Sequence, residues 1–219
     1  IGAIANFINP LFKPDEMIAR IKDTASKLFF IMDEMLDKNM ETVIAKSGIK
    51  TAVIMPIAQS MKGTSKFIQS FKRCISRKKR IGTNDYEIKE WSTFLVEATD
   101  SAARVPYKEN RGFIMVYSSG TTGASKGILL TEDGINATIS SYNSSDFSYE
   151  RGDIFYAVIP IWFSTGNVLS ILMPLCKGIT IIPELLFDKE RVVKGIIKYK
   201  PTMTLVATSI WMTLIQGKH

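Results

Sequence analysis

The feature that most constrains the fold is a regular alternation of short apolar runs with longer amphipathic segments. Leu28–Met32 and Thr51–Met55 are apolar runs of strand length, and a helical spacing of apolar residues precedes each of them. Short, continuously apolar runs are typical of strands buried on both faces of a parallel sheet. The order strand, helix, strand, helix, strand therefore predicts an α/β fold with a mostly parallel β-sheet flanked by helices.

Local signals set the bounds of the first elements. Residues 2–8 form an apolar run that ends at a turn, and Pro14 with two following acidic residues opens a helix, since both favour a first helical turn. A second helix is predicted over residues 33–46, with Gly48 as its stop. The inward positions of the two helices are Met17, Ile18, Ile21 and Ala25 in the first and Met35, Leu36, Met40, Val43 and Ile44 in the second.

The remaining chain divides by composition. Residues 56–84 are polar and basic, which predicts a surface excursion with one helix at 65–71, followed by an amphipathic helix at 87–98 and a connector at 102–111. We therefore divide the chain into a βαβαβ segment (1–55), an excursion and connector (56–111) and a third segment (112–219). The third segment is predicted to hold strands at 113–117, 128–130, 154–159, 179–182 and 203–206, and helices at 133–142, 163–175, 188–199 and 209–215.

The charge balance points to no particular macromolecular partner. Lys and Arg total 28 against 21 Asp and Glu, a net charge of +7, and part of the excess is one cluster at 72–80. No aromatic residues interleave with this cluster as a base-stacking platform would require, so we expect no nucleic-acid partner. A solvated surface segment is the plain interpretation, and a patch that contacts phosphate or a membrane surface stays open. The cluster comprises Lys72, Arg73, Arg77, Lys78, Lys79 and Arg80.

Cysteine and histidine usage excludes several chemistries. Cys74 and Cys176 are the only cysteines, too few for a disulfide framework, which predicts reduced thiols in the cytoplasm. His219 is the only histidine, so this chain carries no Ser-His-Asp or Cys-His pair and no histidine-based metal site. No window of 18 consecutive apolar residues is present, so we predict no transmembrane segment.

The loop that carries chemistry runs from Tyr117 to Gly127 and follows a predicted strand. Gly120 and Gly123 permit unusual backbone paths and close approach of amides to a ligand, and successive amides in such a turn form an anion-binding concavity. Lys126 adds a mobile positive charge. The spacing differs from a Walker A loop, which needs Gly-Lys-Ser/Thr at its end. Hydroxyl groups come from Ser118, Ser119, Thr121 and Thr122, so the loop is predicted to bind a triphosphate or pyrophosphate.

The run Tyr-Ser-Ser-Gly-Thr-Thr-Gly-Ala-Ser-Lys-Gly resembles the phosphate-binding loop of the AMP-forming acyl-CoA synthetase, peptide-synthetase adenylation domain and luciferase superfamily. That family usually has Pro where this chain has Ser125. The segment from Ile159 through Trp162 and Phe163 to Gly166 resembles the family's Pro-Leu-Phe-His segment and its following glycine. The resemblance extends to the segment 2–16, to 174–180 and to 202–214, and so covers most of the chain.

The resemblance implies part of the large N-terminal domain of an adenylate-forming enzyme. Such enzymes join a carboxylic acid to ATP with Mg²⁺, giving an acyl-adenylate and pyrophosphate, and then pass the acyl group to a thiol such as coenzyme A. It also implies that Lys126 stabilises phosphate charge as the catalytic residue of this segment, and that Trp162, Phe163 and Gly166 border the acyl pocket. The plainer interpretation of Trp162 and Phe163 is that they are core aromatic residues. The implied ATP-binding residues are Ser118, Ser119, Gly120, Thr121, Thr122, Gly123 and Lys126, and no metal ligand is assigned.

Two substitutions depart from the family pattern. Phe163 stands where the family often has His, and Thr131-Glu132 stands where many members have Ser-His or Thr-His. The aromatic-Gly-x-Thr-Glu segment and the ribose-binding Asp of the family are absent from the 219 residues, as is its C-terminal domain. We therefore expect a fragment that lacks ligase activity by itself. A phosphate- or nucleotide-binding module without catalysis is the alternative.

Overall fold

The computed structural model describes residues 2–56, 86–97, 104–118, 125–144, 150–184 and 186–216. The chain forms two compact units, one within residues 10–104 and the other combining residues 2–9 with residues 105–219. The predicted helix at 65–71 and the basic cluster at 72–80 lie outside the described residues.

The first unit is built on the parallel sheet that the sequence predicts. Strand β2 (Leu28–Met32) and strand β4 (Glu87–Glu90) flank β3 (Thr51–Met55), and both pairs are parallel. The central residues of β3, Ala52 to Ile54, are fully buried, as expected of a strand covered on both faces. The bounds of β2 and β3 agree with the predicted ones because short apolar runs between helices carry a strong local signal.

Two helices pack together beside this sheet. Helix α1 (Pro14–Asp23) starts at Pro14, and the Glu16 carboxylate accepts the backbone N–H of Lys13 at 2.9 Å. The second helix differs from prediction, because a 3₁₀ turn (Asp33–Met35) precedes α2 (Lys38–Ser47). Asp37 interrupts the predicted helix of residues 33–46, since its carboxylate caps α2 by accepting the Met40 N–H at 2.9 Å. The buried residues of α1 and α2 include Met17, Ile21, Met40, Val43 and Ile44, whereas Ile18, Met35 and Leu36 are only half-buried. The predicted inward position of Ala25 is wrong, because α1 ends at Asp23 and Ala25 lies exposed in the turn that follows.

The predicted helix at 87–98 is wrong in its first four residues. Glu87–Glu90 form β4, which pairs with β3, and only Trp91–Val96 are helical (α3). The residues of β4 are mostly charged and favour no strand by themselves, so pairing with a buried strand decides their conformation. Trp91 and Phe94 then pack edge-on against Phe30 of β2, with ring centroids 6.3 and 5.6 Å away.

The second unit holds two further three-stranded sheets. In one, β1 (Ala5–Asn6) pairs in parallel with β5 (Gly112–Tyr117), which pairs antiparallel with β6 (Gly127–Thr131). In the other, β7 (Ile154–Ala157) lies between β8 (Thr180–Pro183) and β9 (Met203–Thr204), both parallel to it. All strand pairs among the described residues are parallel except β5–β6, so the mostly parallel α/β prediction is confirmed. The flanking strands β1 and β9 are shorter than predicted.

Helices of the second unit cover its sheets. They are α4 (Glu132–Asn143), α5 (Ser164–Asn167), a π-helical stretch π1 (Val168–Leu172), α6 (Met173–Lys177), α7 (Lys189–Tyr199) and α8 (Thr208–Ile215). One core cluster joins β5, α4 and the π1 region through Ile114, Val116, Ile135, Ile139, Val168, Leu169 and Met173. Another joins β7 to α7 and α8 through Tyr156, Val158, Val192 and Leu214.

The single helix predicted over 163–175 is interrupted by π1. Pro174 explains the interruption, because it has no N–H for the carbonyl of Ser170 four residues earlier and its ring crowds that carbonyl. The chain widens to π geometry just before the proline, and the Met173 N–H bonds the Val168 carbonyl five residues back. A proline inside a helical pattern was therefore a usable signal for this distortion.

Hydrogen bonds of Thr202 and Asp153 connect the start of β7 to the residue before β9. The Thr202 hydroxyl donates to Asp153 Oδ1 at 2.8 Å and accepts the backbone N–H of Ile154 at 3.0 Å. The backbone N–H of Glu150 bonds the other Asp153 oxygen at 2.8 Å. These hydrogen bonds, that from Glu150 first, hold the pKa of Asp153 below its ordinary value of 3.8.

Candidate active site

The β5–β6 hairpin presents the predicted phosphate loop at the carboxyl end of β5. Tyr117 pairs with Gly127 across the hairpin, and the Ser118 N–H donates to the Lys126 carbonyl at 3.0 Å. The Ser125 hydroxyl donates to the Ser118 carbonyl. The base of the loop is thus closed, and it brings Ser118 beside Lys126, whose side chain is exposed.

Gly127 lies close to two side chains of β5 at this closure. A Cβ on Gly127 would lie 3.1 Å from the Met115 sulfur and 3.5 Å from Cε1 of the Tyr117 ring. The remaining predicted loop residues, Ser119, Gly120, Thr121, Thr122 and Gly123, lie outside the described residues. In parallel α/β sheets, ligands bind beyond the carboxyl ends of strands, and the loop follows the carboxyl end of β5.

Of the three predicted pocket residues, Trp162 and Phe163 lie on the turn into α5 and Gly166 lies within α5. The Phe163 N–H donates to the Pro160 carbonyl at 3.1 Å. Trp162 is half-buried and Phe163 is exposed, with ring centroids 6.2 Å apart. Gly166 is buried against the turn, and a Cβ there would lie 2.1 Å from the Pro160 carbonyl oxygen. Only glycine fits this position, which gives Gly166 a structural reason independent of any ligand.

Several buried polar atoms near this turn have no hydrogen-bond partner among the described residues. They are Trp162 Nε1, Asn167 Oδ1 and Ser170 Oγ. Asn167 and Ser170 are almost completely buried, and the Asn167 amide makes one long bond from Nδ2 to the Ile161 carbonyl at 3.4 Å. Buried polar groups are normally paired. Buried polar atoms without a hydrogen-bond partner are therefore concentrated, among the described residues of this unit, around the start of the α5 and π1 helical run.

A cleft of about 470 Å³ lies between α4 and the start of the α5 and π1 helical run. This volume is within the usual range of small-molecule pockets, about 300–1,000 Å³. One wall comes from β6 and α4 through Leu129, Leu130, Thr131, Gly134, Ile135 and Thr138. The other wall is Ser164, Thr165, Val168 and Leu169, which lie within six residues after the predicted pocket residue Phe163.

No sequence-based argument identified the residues of this cleft. On each helical wall they follow helical spacing, as in Gly134, Ile135 and Thr138 or in Ser164, Thr165 and Val168. That spacing marks one helix face but does not say which two faces oppose each other. Only the packing of α4 against π1 brings the walls together.

Charged groups at the start of α4 are engaged by the preceding connector. Arg111 binds Glu132 in a bidentate pair, with Nε–Oε1 at 3.0 Å and Nη2–Oε2 at 2.7 Å, and this hydrogen bonding raises the pKa of Arg111. Asp133 accepts the Tyr107 hydroxyl at 3.1 Å and the Asn110 N–H at 2.6 Å. Glu132 thus serves as an ion-pair partner of Arg111.

A second polar network supports the neighbouring sheet. The Tyr156 hydroxyl donates to Glu184 at 2.9 Å, and Glu184 pairs with Arg191 at 3.2 Å. Burial, and then the hydrogen bond to Glu184, raise the pKa of Tyr156 above its ordinary value. Gly195 of α7 makes room for this ring, since a Cβ there would lie 2.1 Å from the Tyr156 hydroxyl. The network runs from the buried Tyr156, through Glu184, to the exposed Arg191 at the start of α7, and it supports the packing of α7 on β7.

The described part of the chain offers neither a membrane-spanning helix nor a cluster of metal-binding side chains. No helix within it is long and apolar enough to cross a membrane. Within the same residues, no group of three or more His, Cys, Asp or Glu side chains could hold a metal ion. Cys176 is a free, exposed thiol.

Residues 1–219 match the model of a protein family described as "AMP-binding enzyme". Among curated relatives, 4-coumarate–CoA ligase-like 8 of Arabidopsis thaliana is 24% identical over 98% of this chain and 35% of its own length. Acetyl-coenzyme A synthetase 1 of Pseudomonas aeruginosa is 26% identical over 100% of this chain and 33% of its own length. The chain thus spans about a third of the length of these relatives.

Solved structures share the fold. An anthranilate CoA ligase in complex with anthranoyl-AMP aligns with a TM-score of 0.73 at 19% identity, covering 96% of this chain and 36% of that one. A benzoate CoA ligase from Burkholderia xenovorans aligns with a TM-score of 0.72 at 11% identity, covering 98% of this chain and 37% of that one.

Proposed function

Because the chain belongs to the AMP-binding enzyme family, we propose that it supplies the phosphate-binding part of an ATP-dependent, AMP-forming acid–thiol ligase. In the first step, a carboxylate oxygen of the acid attacks the α-phosphorus of ATP, and the bond to the β-phosphate oxygen breaks to release pyrophosphate. In the second step, a thiol sulfur, proposed to be that of coenzyme A, attacks the acyl carbon, and AMP leaves.

The observation that carries the proposal is the closed base of the β5–β6 hairpin. Its Ser118–Lys126 hydrogen bond fixes the two ends of a Gly-, Ser- and Thr-rich loop at the carboxyl end of β5. We assign Lys126 to the charge that builds on the leaving pyrophosphate, because a cation placed there lowers the barrier electrostatically. Hydroxyl and amide contacts to the β- and γ-phosphates are assigned to Ser118, Ser119, Gly120, Thr121, Thr122 and Gly123.

The partners follow from this reaction. They are ATP, a small carboxylic acid and coenzyme A. The proposed compartment of the reaction is the cytoplasm. Mg²⁺ is proposed to arrive on the triphosphate, since this ion is commonly held by one or two carboxylates together with substrate phosphates. Trp162, Phe163 and Gly166 are assigned to the border of the acyl pocket, where Gly166 shapes the backbone and the two aromatic side chains supply surface.

Calorimetric titration of ATP and of pyrophosphate into the 219-residue chain tests the phosphate site. Lys126→Ala is expected to weaken both ligands about ten- to a hundredfold, the usual worth of a charged hydrogen bond. Lys189→Ala, which removes another lysine of the same unit far along the sequence, is the matched control and should leave both affinities unchanged. Equal effects of the two variants, or no binding by the wild-type chain, would contradict the assignment.

A second experiment separates a ligase from a phosphate-binding module. ATP–pyrophosphate exchange is measured with a panel of carboxylic acids, in parallel for this chain and for the longer protein that contains it. Acid-dependent exchange by the longer protein that Lys126→Ala abolishes supports adenylation. ATP binding without exchange by either protein supports the module.

A further inference from the structure

The cleft between α4 and the α5–π1 helical run has a lining that selects among ligands. Its deep residues Ile135, Val168 and Leu169 are apolar and nearly buried, and no charged side chain lines it. The acidic residues next to it, Glu132 and Asp133, are engaged by Arg111, Tyr107 and Asn110, and neither is a lining residue. A charged group entering the cleft would lose water without gaining an ionic partner.

The hydroxyl groups of the cleft divide into two kinds. On the α4 wall, Thr131 Oγ1 accepts the Gly134 N–H at 3.1 Å and the Thr138 hydroxyl donates to the Gly134 carbonyl at 2.8 Å. These two hydroxyls are engaged by the helix backbone and add little free polarity. On the opposite wall, Ser164 and Thr165 are exposed at the mouth. The cleft is thus apolar in its depth and polar at one edge.

The cleft also lies close to the phosphate loop along the chain. Lys126 closes the loop, Gly127 begins β6, and Leu129 already lines the cleft. At the strand rise of about 3.3 Å per residue, Gly127 and Leu129 are about 7 Å apart. A molecule whose carboxylate lies near the bound phosphates could therefore extend its other end into the cleft.

We propose that this cleft binds the tail of an uncharged, predominantly apolar carboxylic acid larger than acetate, and that Thr138 and Leu169 limit the size of that tail. The proposal rests on the proposed function, because the cleft alone does not make the bound acid a substrate. Dicarboxylic acids are excluded by the uncharged lining, and acetate is too small to reach the apolar depth.

The proposal is tested by titrating straight-chain acids from acetate to decanoate, with adipate as the charged counterpart of hexanoate, into the 219-residue chain by ligand-observed NMR. Affinity should rise about fourfold for each added methylene, the gain from burying one such group, and then level off. Hexanoate should bind at least tenfold more tightly than adipate. A flat series, or equal binding of hexanoate and adipate, would overturn the proposal.

Variants locate the binding within the cleft. Thr138→Phe fills the cleft from an exposed helix position and should make the affinity level off at a shorter acid. Asn136→Phe is the matched control, because two residues along α4 turn the side chain by about 200°, away from the cleft. Leu169→Phe should act like Thr138→Phe, and Thr165→Phe replaces it if circular dichroism shows that it does not fold. Identical profiles for Thr138→Phe and Asn136→Phe would refute the assignment.

The same samples are titrated with ATP. Loss of the chain-length dependence with intact, Lys126-dependent ATP binding refutes the acyl-tail proposal alone. Loss of ATP binding with an intact chain-length dependence refutes the proposed phosphate site and leaves the cleft as an apolar ligand site.

Discussion

Replacing Gly166 by alanine is expected to destabilise the second unit, although the glycine lies in a helix. Its added Cβ would lie 2.1 Å from the Pro160 carbonyl oxygen, 2.7 Å from the Pro160 carbonyl carbon and 2.8 Å from the Ile159 carbonyl oxygen. All three are backbone atoms and cannot rotate away. Since non-bonded carbon atoms pack best at about 3.5–4.0 Å, relief takes a shift on the order of 1 Å in either the turn or α5.

The magnitude follows from two opposing terms. Overpacking in a rigid interior costs about 1–3 kcal/mol, and an obstacle made of backbone places this site at or above the upper end. Exchanging glycine for alanine inside a helix returns up to about 1 kcal/mol through lower chain entropy. The net loss is about 2–3 kcal/mol in the free energy of unfolding, which corresponds to a fall in Tm of about 4–12 °C for a protein of this size.

Urea unfolding followed by tryptophan fluorescence measures this loss. In a Trp91→Phe background the remaining tryptophans, Trp162 and Trp211, both report on the second unit. Gly134→Ala is the matched control, because it is an exposed helical glycine whose Cβ would meet only the Thr131 hydroxyl oxygen, at 3.2 Å. The control should be neutral or slightly stabilising. Stability of Gly166→Ala within about 0.5 kcal/mol of the parent, the usual range for an inconsequential substitution, would refute the steric reasoning.

Three further predictions concern the same unit. Gly195→Ala should displace the Tyr156 ring and lower the urea midpoint more than Tyr156→Phe does; the reverse order would contradict the contact. Asp153→Asn should be less stable than wild type near neutral pH, and this difference in the free energy of unfolding should close as the pH falls below 3.8. The reason is that the Asp153 carboxylate, whose pKa is lowered in the folded state, stabilises the fold only while it is ionised. A stability difference that does not change with pH would refute this. Arg111→Ala should lower Tm more than Arg151→Ala, an exposed control, because only Arg111 holds a bidentate ion pair; equal shifts in a thermal scan would argue against it.

Much of the order of elements could be read from local signals. The strands Leu28–Met32 and Thr51–Met55 were predicted to the residue, and α7 agrees with its predicted bounds to within one residue because Asp188 caps it, accepting the Arg191 N–H at 2.8 Å. Capping groups, prolines at first turns and runs of apolar residues act over a few residues, so their effect is visible without knowing the fold. The prediction of a phosphate loop likewise depends on the residues between Tyr117 and Gly127 alone.

Other features depend on partners far away in the sequence. The charged segment Glu87–Glu90 becomes a strand only because β3 offers a buried edge, and β5 pairs with β1 across more than 100 residues. The walls of the cleft come from Leu129–Thr138 and Ser164–Leu169. Both segments mix polar and apolar residues, and their composition does not mark either of them as part of a binding site. No local pattern carries this information, because pairing and opposition are properties of the packed chain.

The sequence by itself determined the class of fold and the family, since both are written in short stretches of residue types at fixed spacing, and it predicts a phosphate-binding role for the loop after β5. The tertiary structure alone decided that Gly166 must be glycine, that Glu132 binds Arg111 and that an uncharged cleft opens beside β6. Those facts depend on distances between segments, and packing of the whole unit sets those distances.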